Sequence, residues 1–485
     1  MQRCAIVGGG VGGLTAARAL QQVGIEVSVY EASENVPDRG LGLWPKAQCS
    51  LRNLGDRFAG RLDEISCRSP PAGYRSRATG QWLSRCSAAG QDMVITVRQS
   101  QLLQLLRHDS NFDCAAAPPV QFHERAQVTS VALQGSAVKI IVNSESDSAG
   151  HDEEYDFVVA ADGPRSVVAR ALPALRTDPG QASSADTGTL ARSSASWSGH
   201  DVCGGILERE HLIDYPLLRP EWPFETLDDG GHDTHGMGDN QLPPARWQQR
   251  FALVPLSNGG LFWFCHFPRA AGMRPPACWH EQHEQALLPP LAQMFADYHD
   301  PVPRVIARAL ECHASGAAPI RYEEVLCHNH NMSLWQRGGA APPCWRSHDR
   351  IVFLGDALQA CTPNLAQGAA LAIEDATELA ACASIAKERE ASQLQCGAAF
   401  TAYEARRAGR RARHARMTAF TGLLADPLAV AQSTSAPIAQ ALARMRDAVL
   451  SSTPRKMNET IFDVALSYSL GHNLREGVHA HDEHQ

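Results

Sequence analysis

The chain lacks the features that would assign it to a membrane, secreted or nucleic-acid-binding class. No apolar run approaches the roughly 20 residues of a membrane-spanning helix, and no internal repeat is visible. The 14 cysteines stand singly without a CxxC pair, which fits reduced thiols better than a disulfide framework. The net charge of −8 lacks the basic excess that nonspecific nucleic-acid binding requires. Because the first predicted strand begins at Cys4, leaving no room for a targeting segment, we expect a cytoplasmic protein.

Size and composition restrict the class of protein no further. The 485 residues, 44% hydrophobic and 20% charged, are typical of a globular chain with two or three domains and a full core. The information about function therefore lies in local motifs.

The most informative segment lies near the start of the chain. Residues 4–7 are apolar and lead into a turn in which Gly8, Gly10 and Gly13 occupy the positions of G-x-G-x-x-G. The first glycine permits the bend, the second lets a pyrophosphate approach the backbone, and the third lets helix and strand pack closely. Residues 14–23 follow with apolar side chains at a helical spacing, so the segment predicts a strand, a turn and a helix.

A second strand, predicted over residues 27–30, ends at Glu31. A carboxylate about 20 residues past such glycines accepts hydrogen bonds from a ribose hydroxyl, and the free N–H groups at the helix start attract phosphate. Together these elements predict a dinucleotide site. The alternative is a glycine-rich turn that binds nothing.

Two later apolar strands end in a pair of glycine and aspartate. Residues 157–161 lead to Asp162 and Gly163, and residues 350–354 lead to Gly355 and Asp356. Polar and small residues dominate segments 173–202 and 224–245, which we predict to be inserted loops. The other predicted elements are a glycine-rich loop at 39–45, a strand at 94–97 before Arg98, a helix at 101–107, a hairpin of 128–133 with 138–142, paired strands at 251–255 and 260–267, and helices from residue 369 onward.

Three motifs in this order resemble the FAD-dependent aromatic hydroxylase superfamily, the single-component flavoprotein monooxygenases that include salicylate, urate and kynurenine hydroxylases and zeaxanthin epoxidase. They are the glycine turn with Glu31, the segment 161–166, and the segment 355–368, which continues into 372–376. The likeness extends over most of residues 1–415. The chain departs from the pattern at Gln359, where the family has histidine, at Ala366, where it has glycine, and at Ala169, where it has arginine.

The resemblance implies an α/β fold, in which a Rossmann-like FAD-binding domain carries an inserted, mostly antiparallel β-sheet substrate domain and a helical C-terminal region. The implied boundaries are 1–70, 95–172 and 345–385 for FAD binding, 71–94 and 173–344 for the substrate domain, 386–472 for C-terminal helices, and 473–485 for a disordered tail.

The resemblance also implies the residues of the site. The glycine turn and Glu31 would hold the ADP half of FAD. Arg98 would reach the ribityl or pyrophosphate region, and Asp356 would hydrogen-bond the ribityl chain. Pro363 and the turn after it would lie against the isoalloxazine edge. The implied catalytic residues are His266, Gln359 and Pro363. The implied cofactor-binding residues are Gly8, Gly10, Val11, Gly12, Gly13, Glu31, Ala32, Arg39, Arg98, Val128, Asp162, Gly163, Asp356, Pro363, Ala366, Gln367, Gly368 and Ala369.

In this family NADPH or NADH reduces FAD, and a C4a-hydroperoxyflavin formed with O2 hydroxylates or epoxidises a small aromatic or conjugated substrate. The resemblance therefore implies FAD as cofactor, NAD(P)H as co-substrate, and a monomer or homodimer without nucleic-acid partners. A second dinucleotide fingerprint is absent from the sequence, as in the family. Two alternatives stay open: a flavoenzyme of another reaction type, such as an oxidase, reductase or halogenase, and a flavin-binding scaffold that has lost catalysis.

An aromatic strand in the middle segment is the candidate substrate wall. Within residues 261–268, Phe262, Phe264 and His266 share one face and Trp263, Cys265 and Phe267 the other. His266 is the candidate general base near a phenolic substrate, although ordinary sheet packing is the more common role for any single residue of such a strand.

Other charged or histidine-rich segments carry less weight. The histidines at 232–235, 280–283 and 328–330 lack a second ligand pair at zinc spacing, so we predict no metal. Six arginines between 406 and 416 crowd one helix. We interpret them as a charged face that packs on an acidic surface of the same protein, in preference to a nucleic-acid or lipid site.

Overall fold

The computed structural model describes residues 2–33, 38–86, 93–108, 118–144, 147–175, 195–214, 223–227, 249–268, 288–328, 345–389 and 395–425, with a few isolated positions beyond. Outside these ranges lie the histidines at 232–235 and 280–283, His330, most of both predicted inserted loops, and the predicted tail.

The described strands form four sheets. They are β1 (Arg3–Val7), β2 (Glu26–Glu31), β3 (Gly40–Leu43), β4 (Ser66–Ser69), β5 (Gly73–Ser76), β6 (Trp82–Ser84), β7 (Val94–Arg98), β8 (Gln121–Glu124), β9 (Ala126–Gln134), β10 (Ala137–Ser144), β11 (Asp147–Tyr155), β12 (Phe157–Ala160), β13 (Ser196–Leu207), β14 (Phe224–Leu227), β15 (Arg250–Pro255), β16 (Leu261–Pro268), β17 (Arg321–Cys327), β18 (Arg346–Ser347) and β19 (Ile351–Phe353).

The described α-helices lie between and after these strands. They are α1 (Val11–Gln22), α2 (Pro45–Arg52), α3 (Asp56–Glu64), α4 (Gln99–His108), α5 (Val167–Leu175), α6 (Leu288–Met294), α7 (Val302–Ala314), α8 (Gly355–Gln359), α9 (Gly368–Arg389) and α10 (Cys396–Ala425). None of these helices is long and apolar enough to cross a membrane.

The first sheet has six strands in the order β18-β19-β12-β1-β2-β8 and is parallel except at β18. Its central strands β1, β12 and β19 carry apolar residues at almost every position and are buried on both faces, as parallel strands covered by helices must be. The predicted strands at 4–7, 27–30 and 157–161 are confirmed as its centre.

Two layers of helix cover the start of this sheet. Helix α1 is buried along nearly its whole length, and α9 packs against it. The packing is tight because both helices present small residues: a Cβ placed on Gly12 would lie 3.1 Å from the Cβ of Ala372. Helix α10 packs on the other side of α9, so α9 is the central helix of this half of the protein.

The second large sheet has seven strands in the order β17-β13-β16-β15-β14-β5-β6 and is antiparallel except between β14 and β5. One of its faces is covered by α6 and α7, whose apolar residues share a core with Trp263 and Cys265. The opposite face carries Phe262, Phe264 and His266. The sequence pattern predicted this division for these five residues, and the structure confirms it.

Three predictions about loops need correction. Residues 40–43 form strand β3, because their backbone pairs with β7 even though half of them are glycine. Residues 196–202 belong to β13 and residues 224–227 to β14, so both predicted insertions contain sheet strands at one end. The hairpin of β9 and β10 is confirmed, but its third strand, β11, is polar and carried no recognisable pattern.

Five charged residues meet in the interior between α9 and α10. Glu374 and Asp375 are fully buried with Arg407, Arg410 and Arg411. Arg407 donates to Glu374 at 2.8 Å and to Asp375 at 2.8 Å, Arg410 pairs with Glu374 at 3.1 Å, and Arg411 pairs with Asp375. We name these residues the buried ionic cluster. The prediction that the arginine-rich helix packs on an acidic surface is confirmed.

The buried ionic cluster also holds the turn after β19. The N–H of Gly355 donates to Asp375 at 3.1 Å, and Arg411 donates to the carbonyls of Gly355 and Gln359 at 3.3 Å and 3.1 Å. Burial raises the pKa of Glu374, but Arg410 and Arg407 outweigh it, so that pKa lies below its usual value. The cluster therefore keeps its charges inside the protein.

Removing one anion from this cluster should destabilise the protein strongly. We expect Asp375→Asn to lower the free energy of unfolding by about 3–5 kcal/mol, because three buried arginines would then face the single carboxylate of Glu374. The matched control is Glu378→Gln, since Glu378 pairs with Arg406 at the surface at 2.9 Å and should contribute under about 1 kcal/mol. Urea denaturation of both variants measures the difference, and equal effects would contradict the prediction.

Candidate cofactor and substrate site

The glycine turn after β1 has the shape that a dinucleotide site needs. Gly8 has φ of +104°, and a Cβ there would lie 2.4 Å from the carbonyl oxygen of Ala161. A Cβ on Gly13 would lie 2.0 Å from the carbonyl oxygen of Gly8. At Gly10, by contrast, a Cβ would meet no atom within 4 Å. The first and third glycines are thus required by packing, and the second faces open space where a phosphate can approach.

Glu31 is oriented over this turn. One carboxylate oxygen accepts from the N–H of Gly9 at 2.6 Å and the other from the N–H of Ser33 at 2.7 Å. Each oxygen keeps a further lone pair for a ribose hydroxyl. No side chain caps the N-terminus of α1 at Val11, so its first N–H groups stay available for an anion. The exposed Ala32 follows directly on this side.

Asp356 is the outward-facing member of the Gly–Asp motif. Asp356 is exposed, whereas all the remaining residues between 351 and 360 are buried. Surrounding protein nevertheless raises the pKa of its carboxyl, opposed by Arg411 and Arg39. An exposed carboxylate within a buried segment indicates a groove, which is where the resemblance places the ribityl chain.

Asp162, one of the predicted cofactor-binding residues, makes a hydrogen bond to the start of α5. Its Oδ2 accepts from the N–H of Val167 at 2.6 Å and thereby caps α5. Gly163 next to it has φ of +77°, and a Cβ there would meet no atom. The two residues shape the end of β12, as the sequence pattern predicted.

The turn between α8 and α9 is held by hydrogen bonds on both sides. Ala366 adopts a left-handed conformation, with φ of 49° and ψ of 35°. Its N–H donates to Pro363 at 2.9 Å, and its carbonyl accepts from the indole of Trp44 at 3.3 Å. Gln367 accepts from Arg410 at 3.0 Å, so the buried ionic cluster also fixes this turn. Helix α9 begins immediately after it, at Gly368 and Ala369.

The remaining predicted cofactor residues have protein partners. Arg98 pairs with Asp38 and Glu208. Arg39 donates to Gln99 at 2.8 Å and pairs with Glu323 of β17 at 3.1 Å. The side chain of Val128 lies in the hydrophobic core, so we expect a cofactor contact there only through its main chain.

The uncovered face of the second sheet carries an aromatic surface. The rings of Phe262 and Phe264 stack with centroids 5.3 Å apart, and those of Phe264 and His266 lie 5.6 Å apart. Phe262 reaches across to β3, where a Cβ on Gly40 would lie 2.7 Å from its ring. This face therefore contacts the three-stranded sheet β3-β7-β4.

Sequence reasoning missed the polar residues beside this surface. Arg250 is buried, and its Nη2 donates to Nδ1 of His266 at 2.9 Å and to Oδ1 of Asn364 at 2.9 Å. Its Nη1 pairs with Glu225 at 3.0 Å. Asn364 lies in the turn just before Ala366. The signal in the sequence was the composition of β15, in which an arginine begins an otherwise apolar strand.

These residues fit FAD at the expected place. Open space at Gly10, the free lone pairs of Glu31 and the exposed carboxylate of Asp356 suit the pyrophosphate, ribose and ribityl groups of FAD. Oε1 of Gln359 is buried and has no hydrogen-bond donor among the residues that the structure describes. An acceptor without a partner is costly in a protein interior, and a bound group with an N–H or O–H would satisfy it.

The chain is similar to known FAD-dependent proteins. A family model described as an FAD binding domain matches residues 1–211. The FAD-dependent urate hydroxylase of Klebsiella pneumoniae is 25% identical over 383 residues, which are 78% of this chain and 80% of that protein. The 6-hydroxynicotinate 3-monooxygenase of Pseudomonas fluorescens is 26% identical over 421 residues, which are 86% and 90%. The aurachin C monooxygenase/isomerase of Stigmatella aurantiaca is 24% identical, over 80% and 82%.

Solved structures show the same fold. Klebsiella pneumoniae HpxO complexed with FAD and uric acid superimposes with a TM-score of 0.65 at 20% identity, over 96% of this chain and 97% of that one. The 2,6-dihydroxypyridine-3-hydroxylase from Arthrobacter nicotinovorans gives a TM-score of 0.61 at 15% identity, over 87% and 92%. The mixed helix and sheet architecture described above is therefore that of FAD-dependent hydroxylases.

A side chain at Gly10 should exclude FAD without disturbing the fold. Gly10 has φ of −71° and ψ of −177°, which any residue adopts, and its surroundings are open. We expect Gly10→Val to weaken FAD binding at least about tenfold, or roughly 1.4 kcal/mol, in titrations of the apoprotein followed by flavin fluorescence. Gly60→Val, at an equally open position on α3, is the control and should bind FAD normally. Unchanged affinity of Gly10→Val would contradict this placement of the pyrophosphate.

Replacing the left-handed Ala366 by glycine should remove its backbone strain. We expect Ala366→Gly to raise the free energy of unfolding by about 0.5–1 kcal/mol, because the gain from removing the Cβ exceeds the added entropy of the unfolded chain. Ala381→Gly is the matched control, since Ala381 is exposed in the middle of α9 and its replacement should cost about 1 kcal/mol. Urea denaturation measures both, and a loss of stability in both variants would overturn the assignment.

Proposed function

We propose that the chain is a flavoprotein monooxygenase of the FAD-dependent aromatic hydroxylase family, which its FAD binding domain match and its monooxygenase relatives support. It would use NADPH or NADH and O2 to add one oxygen atom to a small aromatic or conjugated substrate. The observation that carries the proposal is the contact between Arg250 of the aromatic sheet face and Asn364 of the turn before Ala366. It joins the candidate substrate surface to the candidate flavin turn.

The chain's own residues would divide the work of holding the cofactor. Gly10 and the start of α1 would receive the pyrophosphate, Glu31 the adenosine ribose, and Asp356 the ribityl chain. When bound, FAD supplies the redox chemistry, namely acceptance of hydride from NAD(P)H and activation of O2. The turn from Pro363 to Ala369 would place N–H groups and the positive end of α9 beside the flavin edge, where negative charge is stabilised.

The sheet face would hold the substrate and exclude water. Phe262 and Phe264 present a wall of two stacked rings, against which a flat substrate ring can pack. Gln359 and His266 each carry a buried polar atom without a partner in the described part of the chain, and we assign both to contacts with flavin or substrate. Exclusion of water at such a site keeps the oxidising equivalents from being lost as H2O2.

Substrate-dependent consumption of the nicotinamide tests the proposal. We expect the FAD-loaded protein to oxidise NADPH or NADH faster in the presence of at least one compound from a panel of small hydroxylated or oxo-substituted aromatics. That compound should gain one atom of ¹⁸O from ¹⁸O2, measured by mass spectrometry, with H2O2 assayed in parallel. Release of the nicotinamide's electrons solely as H2O2 would indicate an oxidase, and a rate that no compound changes would indicate a flavin-binding scaffold.

A further inference from the structure

His266 lies on the aromatic sheet face, where it could contact a bound ligand. It is 3% exposed and shares this face with Phe262 and Phe264. Through Arg250 it is two hydrogen bonds away from Asn364, in the turn at the candidate flavin edge. Its place in the fold therefore joins the substrate surface and the flavin turn.

The contacts of His266 determine which of its nitrogens carries the proton. A guanidinium can only donate hydrogen bonds, so Nδ1, at 2.9 Å from Arg250, must accept. Burial and the charges of Arg250 and His200 lower the pKa of His266 well below its usual value, so the ring is neutral. A neutral imidazole whose Nδ1 accepts carries its hydrogen on Nε2.

The orientation of Arg250 is itself fixed from several sides. Glu225 pairs with Nη1 at 3.0 Å. The amide group of Asn364 donates to Thr362 and to the carbonyl of Thr418, both at 3.0 Å, so its oxygen is the atom that faces Arg250. The donor and the acceptor of each hydrogen bond from Asn364 through Arg250 to His266 are therefore fixed. The other neutral tautomer of His266, with its proton on Nδ1, would lose the hydrogen bond to Arg250.

The Nε2–H of His266 is consequently a buried donor. Its nitrogen has no hydrogen-bond partner among the residues that the structure describes. The neighbouring guanidinium polarises the ring and strengthens this N–H as a donor, because hydrogen bonds in a chain reinforce one another. Because Nε2 carries the proton, it has no lone pair with which to accept another. His266 therefore cannot act as a general base through Nε2.

We propose that His266 donates this hydrogen bond to an exocyclic oxygen of the substrate and is the residue that recognises that oxygen. The inference rests on the proposed function and names a specificity-determining residue of the same site. Phe262 and Phe264 would contact the ring face, and His266 would fix the ring's rotation by its oxygen. His266 acts here as a specificity-determining residue.

A first experiment measures the tautomer without any turnover. In protein labelled with ¹⁵N-histidine, long-range ¹H–¹⁵N spectra of wild type and His266→Gln assign the His266 signals by difference. We expect a neutral ring with its proton on Nε2, unchanged between pH 6 and 8. A ring protonated on Nδ1, or a charged ring in this range, would overturn the inference.

A second experiment measures selectivity with matched ligands. Binding of a pyridone and of the same ring without its oxygen is followed by the change in FAD absorbance. We expect wild type to prefer the oxygen-bearing ring about tenfold or more. His266→Gln should keep most of this preference, because a glutamine can accept from Arg250 with its oxygen and donate with its nitrogen. His266→Leu should lose it.

The outcomes separate the two proposals. Equal binding of both rings by wild type, or an unchanged preference in His266→Leu, would overturn the role of His266 whatever the enzyme's turnover. A preference that follows the N–H donor, in a protein that shows no ¹⁸O incorporation with any compound, would overturn the proposed reaction and leave the binding site standing. FAD content and the thermal unfolding midpoint of each variant confirm that the fold is intact.

Discussion

The buried ionic cluster is the interaction on which the candidate site depends. Asp375 and Glu374 lie inside the protein with three arginines, and these charges hold both the Gly355 turn and Gln367. Buried ion pairs contribute little net stability compared with apolar packing, so stability alone does not explain five buried charged residues. Their effect is positional: the arginines and Asp375 bind backbone and amide groups of two consecutive turns of the site, and this ties both turns to α9 and α10.

A second set of charges joins the two sheets. Arg250 reaches from the seven-stranded sheet to Asn364, while Arg39 pairs with Glu323 and Arg165 with Glu324 on β17. The last two pairs are at the surface and contribute little by themselves. Arg250 is buried, and its hydrogen bonds fix distance and direction. The substrate surface is thereby placed relative to the flavin turn by the contacts of one side chain.

The sequence allowed the first sheet to be predicted because its signals are local. Gly8, Gly10, Gly13 and Glu31 act through backbone geometry within 25 residues, and apolar runs such as 157–160 identify themselves as buried strands. The partners of Arg250 are 16, 25 and 114 positions away in sequence, and no periodicity connects them. The same reason hid the third strand of the small sheet, β11, whose polar residues are ordered by pairing with β10. The helices and strands with a local sequence pattern were thus predictable, whereas the contacts between residues distant in sequence became visible only in the structure.

Two of the three departures from the family pattern, Ala366 and Gln359, can be explained by their contacts. Ala366 occupies a left-handed conformation that favours glycine, yet hydrogen bonds from Trp44 and to Pro363 keep it there. A strained residue persists only where its surroundings determine the conformation, so the shape of the turn is maintained by the neighbours and does not depend on glycine. Gln359 retains a buried acceptor at the position of a hydrogen-bonding histidine. Both changes preserve the geometry of the turn, which argues for a working site with altered contacts in preference to a site that has decayed.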